Sequence, residues 1–488
     1  MGIESGDFLP RHYSLLRFNR FVVVLIIAAS CCRPAVCGKV ERMKHCAVIG
    51  AGQLGTACAL SLAANGSTDV RLLCRDREYI DEVQKNAEGR YFRLYRQAGA
   101  IPVPASIRVD RLTAESDAPT AEAVVFAVPC IALLPPDDLW AKGVLQGAHT
   151  RDVLSYTAAW GAKAAPAGAS PSPLAVVLSR GLTADGEAPH RLLAAMLQER
   201  APAGAREVPI LCGTGPILPK EWAVHSTAAL GEDGGPRFPH PHSATALTFA
   251  VANEALRTDA GLLRAARLQV GRLFARESVT LLEEPDGADV LALVNACLPL
   301  CSFGAGLVSN AYAGNSVGAL AAYLQHACSA TEALVNTLLG RPRGSPLPPA
   351  VWSSLSMACT TFASREFVLG RQLDYHFKKN DALRAVYSGM SHANLAATVD
   401  GIHTLLQRHQ YSSPFYEVLM DAFNTHIRAS VAGEGLVKEG YYGYRESPPS
   451  PLLREITKVD DALFSGDEER FEKARKNFEK VFSDSLKK

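Results

Sequence analysis

Three glycines at the spacing Gly50-x-Gly52-x-x-Gly55 separate a short apolar run, Cys46-Ala47-Val48-Ile49, from an Ala/Leu-rich stretch whose apolar positions recur at helical intervals. Read together, Lys44 to Gly66 is a strand, a tight turn and a helix. The glycines differ in what they permit. Gly50 allows the turn, Gly52 lets backbone approach a pyrophosphate, and Gly55 lets the helix lie close on its sheet. The negative charge of such a ligand falls on the N–H groups of a helix that begins at Gln53 and Leu54. A second apolar run, Val70 to Cys74, follows at the distance of a βαβ unit, so dinucleotide binding is the expected chemistry.

The residues that close this second strand bear on which dinucleotide. Asp76 would bind a ribose hydroxyl and favour NAD, whereas Arg75 beside it would take a 2′-phosphate and favour NADP. Both types are present, and both readings stay open. A further strand, Ala123 to Val128, ends at Pro129, and a loop at the carboxyl end of a strand in an open sheet lies over the ligand. His240 and His242 share a Gly/Pro-rich loop; a solvent-exposed loop is the expected reading, and no metal is expected. The 12 cysteines are scattered without metal-ligand spacing, and several sit inside apolar runs as small hydrophobes, which fits a reducing compartment.

These residues need a scaffold, and 488 residues is too long for one core. Residues 43–285 alternate strand and helix signals and predict an α/β, Rossmann-type doubly wound sheet. Residues 286–430 predict an all-α C-terminal domain, with helical segments at Val290–Val308, Val317–Leu339, Val351–Leu369 and Ala393–His409. The first is apolar almost all round and should be the buried centre, kinked at Pro299. Residues 431–488 form a tail whose Phe471, Ala474, Phe478, Val481 and Phe482 share one helical face. A net charge of +1 gives no electrostatic argument for nucleic acid as a partner.

Residues 1–42 allow two readings. Arg11, Arg17 and Arg20 precede an apolar run, Phe21 to Cys32, of signal-peptide length, which would direct the chain to an organelle or secretory route. Met43, directly before the first strand, suits a cytoplasmic mature protein with no membrane segment, and this reading is preferred.

From Lys44 to Leu419 the order of segments resembles the NAD-dependent glycerol-3-phosphate dehydrogenases. After the glycine turn, that family's Ala-Val-Pro strand end is matched by Ala127-Val128-Pro129 and its Ser-Lys-Gly element by Ser179-Arg180-Gly181. Its Gly-Pro-x-x-Ala-x-Glu element is matched by Gly215-Pro216 through Glu221, Ala-Leu-Lys-Asn by Ala292-Leu293-Val294-Asn295, and Gly-Asn-Asn by Gly314-Asn315-Ser316. Asp-Leu, Thr-Cys and Ser-Arg-Asn correspond to Ser354-Leu355, Ala358-Cys359 and Ser364-Arg365-Glu366, and Glu-Gly with Thr to Asp400-Gly401 with Thr404.

The resemblance implies hydride transfer between NAD(H) and a phosphorylated triose, glycerol 3-phosphate or dihydroxyacetone phosphate, by a homodimer. Ketone reduction builds negative charge on oxygen, so a proton donor must stand there and a cation must hold the phosphate. The family's lysine of Ala-Leu-Lys-Asn serves the first need and the arginine of Ser-Arg-Asn the second. The positions implied for catalysis here are Arg180, Val294, Asn295 and Ser354, with Asn315 and Arg365 toward substrate. The catalytic lysine is thus replaced by Val294, the second lysine by Arg180 and the aspartate by Ser354. No lysine lies between Lys220 and Lys378. Valine cannot donate a proton, and losing general acid–base help costs a factor of about 10² to 10⁴. A divergent dehydrogenase and a non-catalytic dinucleotide-binding relative are therefore both expected readings.

Overall fold

The computed structural model describes residues 43, 45–67, 69–74, 80–81, 103–112, 121–134, 148–164, 173–200, 207–228, 245–257, 259–311, 317–361, 364–371 and 390–428, with 469, 472–474, 476–477 and 480 in the tail. All fall within one compact unit, residues 42–488.

The first part runs β1 (His45–Ile49), α1 (Gln53–Ala64), β2 (Asp69–Cys74), β3 (Ile107–Arg111), β4 (Ala123–Phe126), a 3₁₀ turn (Cys130–Leu133), α2 (Ala148–Ala164), β5 (Leu174–Val177), α3 (Pro189–Arg200), β6 (Ile210–Thr214), α4 (Pro219–Ala228), β7 (Ala246–Val251), α5 (Glu254–Arg257), α6 (Ala260–Leu273) and β8 (Ser278–Leu282). The strands form one sheet in the order β3-β2-β1-β4-β5-β6-β7-β8. All neighbours are parallel except β6 and β7, which pair antiparallel from Leu211↔Val251 to Thr214↔Thr248. Every residue of β4 and β5 is buried, as central parallel strands covered on both faces must be. One face packs Leu60, Trp222, Val270 and Phe274 from α1, α4, α6 and the turn after α6; the other packs Tyr156, Trp160 and Leu193 from α2 and α3.

On the first face a buried carboxylate ties three elements. Glu277, just before β8, accepts hydrogen bonds from Ser61 (2.5 Å), Asn65 (3.1 Å) and Trp222 Nε1 (2.9 Å). A buried carboxylate is tolerable only when its oxygens are satisfied in this way.

The second part is helical: α7 (Gly287–Ala311), α8 (Val317–Leu338), α9 (Pro349–Thr360), α10 (Arg365–Arg371), α11 (Met390–Arg408) and α12 (Pro414–Ala422), followed by a π-helical turn at Phe423–Arg428. The helix α7 is long and apolar enough to cross a membrane by length and composition, yet 89% of its most apolar window is buried inside the protein. It is the centre on which α8, α9, α10, α11 and α12 pack, and the helical assignment continues through Pro299.

Several boundaries differ from the sequence-based expectation. Val351–Leu369 is two helices rather than one. Thr361 turns extended (φ −116°, ψ 137°) and Ser364 starts α10, its Oγ accepting from Phe367 N at 3.5 Å and its carbonyl from Val368 N. β6 begins at Ile210, directly after Pro209, which has no N–H to give the sheet ladder. In the tail, Ala474 is buried while Lys473, Lys476 and Asn477 are exposed; Phe471, Phe478, Val481 and Phe482 lie outside the described residues.

None of the nine described cysteines is in a disulfide. Burial pushes Cys46 and Cys212 up to about 12 and Cys301 to about 11, which leaves them protonated and unreactive.

Candidate functional site

The sheet order reverses direction between β1 and β4, and an open sheet of this type binds its ligand in the crevice at that switch point. The glycine turn and the Pro129 turn stand there, one at the carboxyl end of each strand. Gly50 has φ +106°, a conformation that side chains rarely adopt, and a Cβ on it would meet Ala127 O at 2.8 Å and Val128 Cγ1 at 2.9 Å. A Cβ on Gly55 would strike the Gly50 carbonyl, so this glycine is what lets α1 approach the turn. Gly52 is different: a Cβ there would meet nothing within 4 Å. It faces open space at the N-terminus of α1, where no side chain caps the helix and no acidic residue stands in the first turn. Gln53 is exposed beside it and Leu54 half-buried. An open glycine at an uncapped, acid-free helix N-terminus fits the pyrophosphate of a dinucleotide.

The positions implied for catalysis lie around α7 and the carboxyl ends of β5 and β6. Val294 is fully buried in the helical core, and so is Ser354 on α9, whose Oγ has no hydrogen-bond partner among the described residues. Asn295, also buried, spends its amide on β6: Nδ2 donates to Gly213 O at 3.1 Å, and Oδ1 accepts from Thr214 Oγ1 at 2.5 Å. It acts as a strut between α7 and the sheet. Thr214, which completes that strut, carries no motif of its own in the sequence, and only the packing of α7 reveals its part.

Arg180 lies half-buried in the loop after β5. Burial pushes its guanidinium pKa down, and the charge of Glu366 on α10 pushes it back up. Glu366 itself accepts from Ser364 Oγ at 3.3 Å, and Ser364 Oγ lies 2.6 Å from Ser302 Oγ of α7. Arg365 is exposed at the first position of α10. Lys220 is half-buried in the first turn of α4. Asp76 with Arg75, Asn315, His240 and His242 lie outside the described residues.

A second polar contact joins α3 to α7. His190 Nε2 and Arg191 Nε both lie 3.0 Å from Asp289 Oδ1. Burial pushes the Asp289 carboxyl upward, but the hydrogen bonds from His190 and Arg191, together with their charges, outweigh it and hold the group well below the ordinary carboxylate range. A depressed carboxylate contributes stability above its unfolded pKa of about 3.9 and loses it as pH falls through the folded value. Asp289→Asn should therefore be destabilised at about pH 7 and approach the wild type in strong acid, read by urea unfolding at both. An equal deficit at the two pH values would mean that ionisation of Asp289 contributes nothing.

Comparison with known proteins gives the site its context. Residues 45–140 match the family model of the NAD-dependent glycerol-3-phosphate dehydrogenase N-terminus. No curated protein matches the chain in sequence. Among solved structures, glycerol-3-phosphate dehydrogenase from Coxiella burnetii aligns with a TM-score of 0.53 at 20% identity, over 80% of this chain and 98% of that one. The 2-dehydropantoate 2-reductase from Geobacter metallireducens aligns with a TM-score of 0.41 at 16% identity, over 78% and 99%. At 20% identity the likeness to the Coxiella burnetii enzyme is one of fold. Over residues 45–140, which hold the glycine turn and the Pro129 turn, the chain is similar to the N-terminal part of the NAD-dependent glycerol-3-phosphate dehydrogenases.

Proposed function

We propose that this chain is a divergent relative of the glycerol-3-phosphate dehydrogenases that binds NAD(H) at the β1–β4 crevice and turns over dihydroxyacetone phosphate weakly. One contrast carries the reading: Gly52 opens a cradle for the cofactor, while Val294, at the position where the family's proton donor is expected, is sealed in an apolar core. The Gly50–Gly55 turn and the Pro129 turn would hold the cofactor. Bound NADH would supply the hydride to the ketone carbon. The alkoxide that forms then needs a proton, and neither Val294 nor Ser354 offers an acidic group.

Arg180 supports residual reactivity of a limited kind. A guanidinium does not give up its proton in a protein, so Arg180 can stabilise an oxyanion without replacing a general acid. Its neighbour Glu366 reduces the net positive charge there, which disfavours a doubly charged phosphate. Arg365 on the same helix supports a substrate anion nonetheless.

The test is a titration of the full chain with NADH, followed by NADH oxidation with and without dihydroxyacetone phosphate. Saturable NADH binding with slow, substrate-dependent oxidation is expected. Fast turnover that is unaffected by Arg365→Ala would show that the site has been placed wrongly, and absence of NADH binding would remove the reading altogether.

A further inference from the structure

The turns that follow β4 and β5 are both gripped by one side chain from the helical part, Asn394 of α11. Its Nδ2 donates to the carbonyl of Arg180 at 3.0 Å, and its Oδ1 accepts from Ile131 N at 3.4 Å. Ile131 lies two residues beyond Pro129, in the 3₁₀ turn, and Ala127 and Val128 before it supply the atoms nearest Gly50. A continuous set of contacts thus runs from the glycine turn through the Pro129 turn and Asn394 to Arg180. The geometry is reinforced from both sides. Gly181 adopts φ +102°, and a Cβ there would meet Thr398 Oγ1 at 2.6 Å and Asn394 Nδ2 at 2.7 Å. Thr398, one turn further along α11, accepts from Leu182 N at 3.1 Å and donates to Asn394 O at 2.7 Å.

We infer that Asn394 is a positioning residue that couples the helical part to the cofactor edge, setting the Pro129 turn and the Arg180 loop against one another. The inference rests on the β1–β4 crevice being the cofactor site. An asparagine suits this role because its amide carries a donor and an acceptor in one plane, one for a carbonyl and one for an N–H. Other α11 contacts serve adhesion instead. Thr404 Oγ1 donates to Ala184 O at 2.9 Å and Arg408 Nη2 to Asp185 O at 3.1 Å, both farther along the loop after β5. These two bonds hold that loop alone and leave the turn after β4 to Asn394.

Hydrogen exchange by mass spectrometry on the full chain tests the coupling without any ligand. Asn394→Ala should speed exchange in peptides covering both 130–134 and 180–184. Asn394→Asp keeps an acceptor for Ile131 N but loses the donor to Arg180 O, so it should restore protection at 130–134 and leave 180–184 fast. Thr404→Val, which keeps Asn394, should affect only the loop near Ala184. NADH affinity should fall about tenfold in Asn394→Ala and stay within about twofold in Thr404→Val. Unchanged exchange at 130–134 in Asn394→Ala, or an equal loss of NADH affinity in Thr404→Val, overturns the inference. If the exchange pattern is as expected and the wild type binds no NADH, the coupling stands and the cofactor reading falls.

Discussion

Gly52→Val should abolish NADH binding, a loss of at least about 100-fold in affinity, in a protein that remains folded. The two halves of this expectation come from separate observations. Gly52 has φ −72°, an ordinary conformation for valine, and an added Cβ meets nothing within 4 Å, so the fold has no reason to object. Valine is a poorer N-cap than glycine, which costs about 1 kcal/mol at most. The open space is, however, the approach to the α1 N-terminus, and a branched side chain there excludes the pyrophosphate from the helix amides. Gly55→Val is the contrasting case. Its Cβ would collide with the Gly50 carbonyl, so the helix must leave the sheet, and a fall in thermal stability should precede any measurement of affinity. Calorimetric titration with NADH and thermal unfolding of both variants decide the matter. Undiminished affinity in Gly52→Val would remove the physical basis for a dinucleotide at this turn.

This turn is readable from sequence because its constraints are local. Strand, glycines and helix lie within 22 consecutive residues, from His45 to Gly66, and the steric demands at Gly50 and Gly55 arise among near neighbours. The same holds for the apolar strands β1, β2 and β4, which differ from expectation by only a residue or two at their ends. Edge strands are harder. β3, Ile107 to Arg111, alternates buried and exposed positions and carries three charges in five residues, so its apolar signal is weak. β7 follows a Gly/Pro-rich stretch, and its pairing with β6, like that of β8 with β7, is a tertiary matter that no local pattern announces. The end of α9 at Thr360 is hidden in the sequence because apolar residues continue beyond it.

Contacts between distant residues are not legible at all. His190 and Asp289 meet across 99 positions, and Asn394 reaches Arg180 across 214. Asn295 shows what a residue match leaves out. A four-residue resemblance finds its position on α7, but both ends of its amide are engaged by β6, which only the packing of α7 on the sheet reveals.

The catalytic reading makes a gain-of-function prediction. Val294→Lys alone should be strongly destabilised, because a charge placed in the core without a partner costs about 3–5 kcal/mol, or the lysine responds by losing its proton. Ser354→Asp alone should suffer the mirror-image penalty, with its carboxyl pushed up toward the neutral form. Ser354 is already fully buried, its Oγ without a hydrogen-bond partner among the described residues, and α9 packs on both α7 and β6, so the two positions belong to the same helix–sheet junction. The double variant supplies a cation and its counter-charge together. In a four-protein cycle its stability should exceed the sum of the single effects by about 1–3 kcal/mol if the side chains meet. Its dihydroxyacetone phosphate reduction should rise by about 10²-fold over the wild type, the value of a positioned general acid, with NADH affinity unchanged because the glycine turn is untouched. Arg365→Ala in that background should raise KM by removing a cation for the phosphate. Strict additivity of the two stability losses, with turnover no better than wild type, would show that Val294 and Ser354 do not face a common reaction site, and that the missing proton donor must be sought on another element.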